Sequence, residues 1–200
     1  MSGRIRFFRQ HTMETCGASC ALMLLDYYGK VQYPTKKQEM KLYTLYRSRV
    51  FKGITPAALA DCLSKNDLQV ELRHSSPAFL DNRDGYFEDA LFRPFLEEYL
   101  LCLDRCKDRV QVHTGAETDT ALLQEALAAG CQVLAETFIP GDADGIHDHA
   151  LHWVLIYGWD AERFQVCDPL SGKITLTAEE LEGYMDTPLG RISIIVKGHP

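Results

Sequence analysis

The sequence predicts an α+β fold, in which an N-terminal helical part with a central helix packs on a C-terminal antiparallel sheet. From Ala18 to Tyr28, apolar residues occur on both sides of the helix and Asp26 carries the only charge, so this helix belongs in the interior. After residue 131 the apolar segments are short and alternate with turn residues, as in strands. Neither a repeat nor a low-complexity linker divides the chain, so we expect residues 1–200 to form one domain.

The N-terminal half is mainly helical. The central helix is expected to end at Gly29, a typical C-terminal stop. Residues 36–49 are polar and basic with apolar residues at helical spacing, which predicts an exposed amphipathic helix. Thr55 and Pro56 are predicted as the N-cap and first residue of the next helix. The alternation over 68–73 then predicts a half-buried strand.

Residues 75–115 are predicted to be a helical insertion that packs on the core. Most of its apolar and aromatic residues lie in a helical run from Phe87 to Cys106. Insertions of this kind often lie beside active sites, so a role as a lid or as a substrate-binding subdomain stays open.

The C-terminal half alternates between strands and helices. A helix is expected over 118–130, with Thr118 as its cap. A polar loop follows over 142–148. Strands are predicted at 131–139, 152–157, 164–168, 174–176 and 192–196, and a last helix at 178–184.

Composition and charge exclude several classes of protein. With 46% hydrophobic and 24% charged residues, the 200-residue chain is typical of soluble globular proteins. Its net charge of −7 argues against a nucleic-acid or anionic-membrane partner. No apolar run is long enough for a signal peptide or a membrane span. Seven cysteines in a chain of this size are expected to be mostly reduced, which predicts a cytoplasmic protein, although delivery elsewhere stays open.

Cys16 lies at the first turn of the central helix, after a polar segment that offers Thr12, Glu14 and Thr15 for capping. The unpaired N–H groups and the positive end of the helix dipole favour a thiolate at this place. A thiolate is a nucleophile, so the pattern predicts a cysteine enzyme. Cys20 lies one turn further into the helix, away from the free N–H groups, and is predicted to be a packing residue.

A cysteine nucleophile needs a base and a group that orients the base. Asp160 lies eight residues after His152 and eight before Asp168. A turn centred near Asp160 therefore brings His152 and Asp168 nearly opposite each other on one sheet face, close enough for a hydrogen bond. Pro169 ends the strand and leaves the carboxylate at its tip.

A metal site is the competing interpretation of the histidines. His147, His149 and His152 form a His-x-His-x-x-His pattern in an acidic loop, which could bind zinc. Solvated histidines are the usual state in such a loop, so we expect no metal and no cofactor. Cys102 and Cys106 are one helical turn apart but lack a second pair at metal spacing, and are predicted to be core residues.

Three motifs, in order along the chain, carry a family resemblance. Gln10 precedes Cys16 by six residues in a segment that closely resembles the active-site motif of the bacteriocin-processing, double-glycine leader peptidases. These are papain-like cysteine peptidase domains, often fused to bacterial ABC exporters. Residues 53–59 are similar to the start of the family's second helix. Residues 152–158 are similar to its strand that carries the histidine, and residues 166–172 to its strand with the Asp-Pro-x-x-Gly motif. The resemblance covers 4–73 and 118–196.

The resemblance implies a papain-like fold and a role for each of four residues. Cys16 would be the nucleophile, His152 the general base and then acid, and Asp168 the orienting carboxylate. Gln10 would donate its side-chain amide to the oxyanion beside the backbone N–H of Cys16. The implied reaction is transfer of a peptide acyl group to the thiolate, followed by hydrolysis of the thioester.

Several alternatives remain at this point. These 200 residues include no exporter domains and carry the insertion at 75–115, so the substrate is expected only to be a peptide or protein. A papain-fold acyltransferase or amidase would use the same residues to pass the acyl group to an amine or thiol. An inactive peptide-binding domain is the third hypothesis, although it has no need of all four residues. The cleavage site and the oligomeric state stay open.

Overall fold

The computed structural model describes residues 4–74, 89–116, 118–139 and 150–198. Within these ranges, six helices and a seven-stranded sheet confirm the α+β class. The helices are α1 (Cys16–Tyr27), α2 (Lys36–Tyr46), α3 (Pro56–Ser64), α4 (Asp89–Cys106), α5 (Thr120–Ala128) and α6 (Ala178–Met185). The strands are β1 (Leu68–His74), β2 (Val110–Thr114), β3 (Gln132–Ile139), β4 (Ala150–Trp159), β5 (Phe164–Asp168), β6 (Gly172–Leu176) and β7 (Ile192–Gly198).

The sheet has the strand order β2-β1-β7-β3-β4-β5-β6. Every neighbouring pair is antiparallel except β1 and β2, which are parallel. The expected helical insertion over 75–115 contains α4, and it also contains β2, which was not predicted from the sequence. Of the five residues of this edge strand only Val110 is buried, and the apolar alternation is limited to Val110 and Val112, which is too short to predict a strand.

Helices cover both faces of the sheet. On one face α1 packs against β4 and α3 against β1, and α2 packs on α1. On the other face α5 and α6 pack against β3. Helix α4 packs against α3 and buries Phe95 and Tyr99, so the predicted packing of this helix on the core is confirmed.

Helix α1 is an interior helix, as its sequence predicts. Residues 16–26 are all buried, and the helix ends before Gly29, whose φ of +70° favours glycine. The charge of Asp26 is compensated near the C-terminal end. Its Oδ2 lies 2.9 Å from Nε of Arg6, and its Oδ1 accepts hydrogen bonds from Nη2 of Arg6 at 2.9 Å and the Tyr33 N–H at 3.2 Å.

Capping residues position two of the other helices. Thr55 caps α3 as predicted, with its Oγ1 accepting from the Ala58 N–H at 3.1 Å. The predicted cap of the helix after residue 118 was wrong by one residue. Asp119 is the cap and accepts from the Leu122 N–H at 2.8 Å, whereas Thr118 is buried. An aspartate accepts this bond better than the neighbouring threonine.

No helix in the described ranges has both the length and the apolar character required to cross a membrane. All seven cysteines lie in those ranges, and each is a free thiol.

Candidate active site

Cys16 begins helix α1, and the segment before it does not cap the helix as the sequence suggests. Thr15 is at the N-cap position, but its hydroxyl donates to the Thr12 carbonyl at 3.0 Å and does not accept from the first turn. Glu14 turns away from the helix, and its carboxylate accepts from the Tyr43 hydroxyl at 2.6 Å. The N–H groups of the first turn are therefore oriented toward the thiol without a capping side chain, which suits an incoming anion.

His152 and Asp168 are in direct contact. Nε2 of His152 lies 2.8 Å from Oδ1 of Asp168. Because Asp168 occupies Nε2, the other ring nitrogen, Nδ1, is left for the Cys16 thiol, which lies close enough to the imidazole to raise its pKa. Strand β4, strand β5 and the start of α1 thus bring a thiol, an imidazole and a carboxylate into one chain of contacts.

The strand register that produces this contact differs from the prediction. Strand β4 pairs Ile156 with Val166, and a β-bulge interrupts the register after Ile156. Continuing the pairing toward the strand end sets Asp168 beside Val154, so His152 lies two positions further along the same face. The expected near-opposite placement was wrong by two residues. The hydrogen bond still forms because diagonal neighbours on one face are within reach of long side chains.

The histidine and the aspartate stabilise each other's charge. Burial lowers the pKa of His152, but hydrogen bonds with Asp168 and Cys16 outweigh it and raise this pKa to about 9. Burial alone would raise the pKa of Asp168, whereas the bond with His152 and the Leu170 N–H, 2.8 Å from Oδ1, bring it to about 2. The pair is therefore an imidazolium and a carboxylate near neutral pH.

A cavity of about 240 Å³ adjoins the histidine–aspartate pair on the side of the sheet that carries α6. Its apolar lining reduces the exposure of both groups to water, which strengthens their hydrogen bond. The lining residues are Thr137, His152, Val154, Val166, Asp168, Ser171, Ile174, Leu176, Leu181 and Tyr184.

Gln10 lies at the same site and is 8% exposed. Its backbone N–H donates to the carbonyl of Pro169, the residue after Asp168, at 2.9 Å. Its side-chain Nε2 donates to the Thr12 carbonyl at 3.0 Å, which uses one of its two N–H groups. Its Oε1 is buried without a hydrogen-bond partner among the described residues. The amide therefore has one N–H left for a further acceptor.

Cys20 differs from Cys16 as expected. It is fully buried, and its thiol donates to the Trp153 carbonyl at 3.3 Å. Burial, followed by the proximity of Cys16, raises its pKa well above the usual range. The indole of Trp153 in turn donates to the Ile54 carbonyl at 3.3 Å. Cys20 is thus a packing residue between α1 and β4.

Two buried acids near the site were not found by sequence reasoning. Glu39 of α2 is buried on the same helix face as Leu42 and Tyr43. A charge within an apolar stripe is the signal that could have revealed it. Glu136 of β3 is paired in register with Trp153, and burial raises its pKa to about 8.

Two of the three histidines of the zinc hypothesis, His147 and His149, lie outside the described residues. In the ranges that the structure does describe, no three His, Cys, Asp or Glu side chains are grouped as metal ligands. Cys106 is buried and Cys102 is half-buried in α4.

Comparisons with known proteins agree with the sequence resemblance. No curated protein matches the chain. A structure from Bacillus anthracis described as a C39-like peptidase matches with a TM-score of 0.58 and 15% identity, covering 98% of this chain and 96% of the other. The peptidase domain of Streptococcus ComA, a bifunctional ABC transporter, matches with a TM-score of 0.51 and 11% identity, covering 98% of this chain and 100% of that domain. At these identities the likeness shows the fold.

The family comparison extends over most of the sequence. The model of a family described as Peptidase_C39 like matches residues 5–187, a range that includes Gln10, Cys16, His152 and Asp168. The chain belongs to the Peptidase_C39-like family.

Proposed function

We propose that this chain is a cysteine peptidase that cleaves a peptide or protein substrate through a thioester intermediate. The observation that carries the proposal is the chain of contacts from the Cys16 thiol to His152 and on to Asp168, with 2.8 Å between Nε2 and Oδ1. Cys16 is the nucleophile, His152 the general base and acid, and Asp168 the group that orients the imidazole.

In the first half of the reaction, the proton of the Cys16 thiol is already held on Nδ1 of His152, and the thiolate sulfur attacks the scissile carbonyl carbon. The carbonyl oxygen becomes an oxyanion. The backbone N–H of Cys16 and the remaining N–H of the Gln10 amide donate to it. When the intermediate collapses, the C–N bond breaks and His152 returns its proton to the leaving amine, which leaves an acyl group on the sulfur.

In the second half, His152 takes a proton from a water molecule that attacks the thioester. The C–S bond breaks, the carboxylic acid product leaves, and the thiolate and the imidazolium are restored. Asp168 accepts a hydrogen bond from Nε2–H throughout, so the imidazole keeps one orientation and its positive charge is balanced each time it forms.

The experiment is a cleavage assay on the whole chain. A panel of peptides, including peptides with a Gly-Gly sequence, is incubated with the protein, with and without added methylamine, and the products are identified by mass spectrometry. We expect hydrolysis at a peptide bond that disappears in Cys16→Ala and persists in the matched control Cys20→Ala.

The other outcomes distinguish the alternatives. Methylamide products with little hydrolysis would identify an acyltransferase. A panel that is bound but never cleaved, with equal binding by Cys16→Ala, would overturn the peptidase assignment in favour of a peptide-binding domain.

A further inference from the structure

Helix α2 buries a carboxylate beside the candidate active site. The side chain of Glu39 is 0% exposed. Burial of a carboxylate is unfavourable unless opposite charge and hydrogen bonds compensate it. Glu39 lies on the buried face of α2 together with Leu42 and Tyr43. If this face served only to pack against the core, an apolar residue would be expected at position 39.

The donors that compensate Glu39 all come from the segment around the nucleophile. Its Oε1 accepts from the backbone N–H of His11 at 2.9 Å and from the hydroxyl of Ser19 at 3.0 Å. Its Oε2 pairs with Nδ1 of the same histidine. His11 directly follows Gln10, and Ser19 lies in the first turn of α1, three residues after Cys16. One carboxylate therefore joins α2 to both parts of the site.

Gln10 directly precedes His11, the residue that Glu39 binds. Its backbone N–H is held on the other side by the Pro169 carbonyl at 2.9 Å, next to Asp168. Its side-chain oxygen is buried without a partner among the described residues, so no bond to that oxygen orients the amide. The amide is oriented by its bond to the Thr12 carbonyl at 3.0 Å, so the direction of its free N–H depends on where the backbone of residues 10–12 is fixed.

We propose that Glu39 is a positioning residue for Gln10, and that it holds the oxyanion donor at its working distance from Cys16 through His11. The proposal rests on the peptidase function proposed above. Small displacements of a donor that binds only the transition state lower the rate of the chemical step. They leave binding of the ground-state peptide nearly unchanged.

The first test compares two buried carboxylates at opposite ends of α1. Glu39→Ala is expected to lower kcat by about 10-fold to 100-fold, with KM changed by less than about 3-fold. Glu39→Gln should restore most of kcat, since its amide oxygen still accepts from the backbone N–H of His11 and its NH₂ group can donate to a neutral ring. Asp26→Ala removes a carboxylate that also accepts two hydrogen bonds and pairs with Nε of Arg6, and is expected to leave kcat unchanged.

A double-mutant cycle shows whether Glu39 acts through Gln10. Gln10→Ala removes the donor itself, so adding Glu39→Ala in that background should lower kcat by less than about 2-fold further. Independent effects of the two substitutions, each with its full fold-change, would overturn the positioning role.

A second readout separates this inference from the proposed peptidase function. A peptide aldehyde ending in glycinal adds reversibly to Cys16: the S–C bond forms, the carbonyl π bond opens, and the resulting oxyanion needs the same donors without any turnover. We expect Glu39→Ala to weaken aldehyde affinity by the same factor as kcat. The rate of Cys16 alkylation by iodoacetamide, which forms no oxyanion, should not change.

Each result has a distinct meaning. A wild-type chain that neither cleaves peptides nor binds the aldehyde would overturn the peptidase proposal and this inference with it. A wild-type chain that cleaves, with a Glu39→Ala variant of unchanged kcat and aldehyde affinity, would overturn this inference alone.

If Glu39→Ala does not fold, His11→Ala is used. Its ring is 35% exposed, and the substitution keeps the backbone bond, so the same two quantities should fall by a smaller factor.

Discussion

The two ends of helix α1 differ in how their polar groups are satisfied. At the C-terminal end, Asp26 is bound by Arg6 and by the backbone of Tyr33, and the chain turns away at Gly29. At the N-terminal end, the Thr15 side chain does not cap the helix, and the thiol of Cys16 faces an imidazole. The polar groups are satisfied within the protein at the C-terminal end, whereas no side chain caps the N–H groups at the N-terminal end. A buried helix can therefore present a reactive group only at an end.

The two cysteines of α1 show the same contrast over a single turn. Cys16 contacts His152, whereas Cys20 donates to a backbone carbonyl and has a raised pKa because of burial. Residue type and helix are the same, so the proposed difference in reactivity between the two thiols rests on their distance from the helix end.

The largest expected effect separates these two cysteines. Cys16→Ala should lower kcat/KM by at least about 10⁴-fold, since the nucleophile is lost. Cys20→Ala should leave kcat/KM within a few-fold and lower the free energy of unfolding by about 1–2 kcal/mol through the small cavity it creates. Peptide hydrolysis and urea denaturation measure both. Equal activity of the two variants would remove the distinction between helix end and helix interior.

The next effect tests the partner of the imidazole. Asp168→Asn should lower kcat/KM by about 10²-fold or more, because the carboxylate no longer balances the imidazolium. The wild-type profile should decline on the alkaline side near pH 9, where His152 loses its proton. Loss of the negative charge lowers the pKa of His152, so the alkaline limb should move to lower pH in the variant. An unmoved limb would show that Asp168 does not set the charge of His152.

Whether a structural feature could be predicted depends on how far apart in sequence the residues are that form it. The interior helix, its entrance at Cys16 and the stop at Gly29 depend on residues close in sequence, and local patterning was enough to find them. The contact of His152 with Asp168 was also predictable, because a hairpin relates the two residues through a turn. The two-position difference comes mainly from the turn, which lies later than Asp160 because Trp159 pairs with Phe164, whereas the bulge after Ile156 shifts the register by one position. Gly158 stands at this bulge and was the local signal for it.

Features that depend on distant segments were missed. Strand β2 pairs with β1 across the whole of α4, and its alternation over Val110 and Val112 is too short to predict a strand. The bond of Glu39 with His11 joins residues 28 apart. The backbone bond from Gln10 to Pro169 spans the length of the domain. Sequence spacing cannot show such contacts, since they are set by how α2 and the sheet pack on α1.

The C-terminal end of α1 should affect stability without affecting chemistry. Arg6→Ala leaves the carboxylate of Asp26 buried without its cation, since the side chain is only 3% exposed. We expect the free energy of unfolding to fall by about 3 kcal/mol, with kcat unchanged at temperatures where the variant is folded. A change in kcat with no loss of stability would contradict the division of roles between the two ends.

The smallest expected effect lies just beyond the same end. The Tyr28 hydroxyl donates to the Val196 carbonyl of β7 at 2.9 Å. Tyr28→Phe removes this bond but keeps the ring, so unfolding should become easier by about 1 kcal/mol, with activity unchanged. Urea denaturation monitored by fluorescence measures the difference, and an unchanged midpoint would show that the bond does not contribute.

The most direct test of the account is the site and rate of covalent labelling by a peptide-based electrophile, followed by mass spectrometry. We predict that Cys16 is labelled faster than the other cysteines, that the label is lost in His152→Ala and that labelling is slower in Asp168→Asn. A Cys16 that reacts no faster than Cys102, or at the same rate with and without His152, would contradict the claim that the end of α1 and the β4–β5 hairpin form one reactive centre.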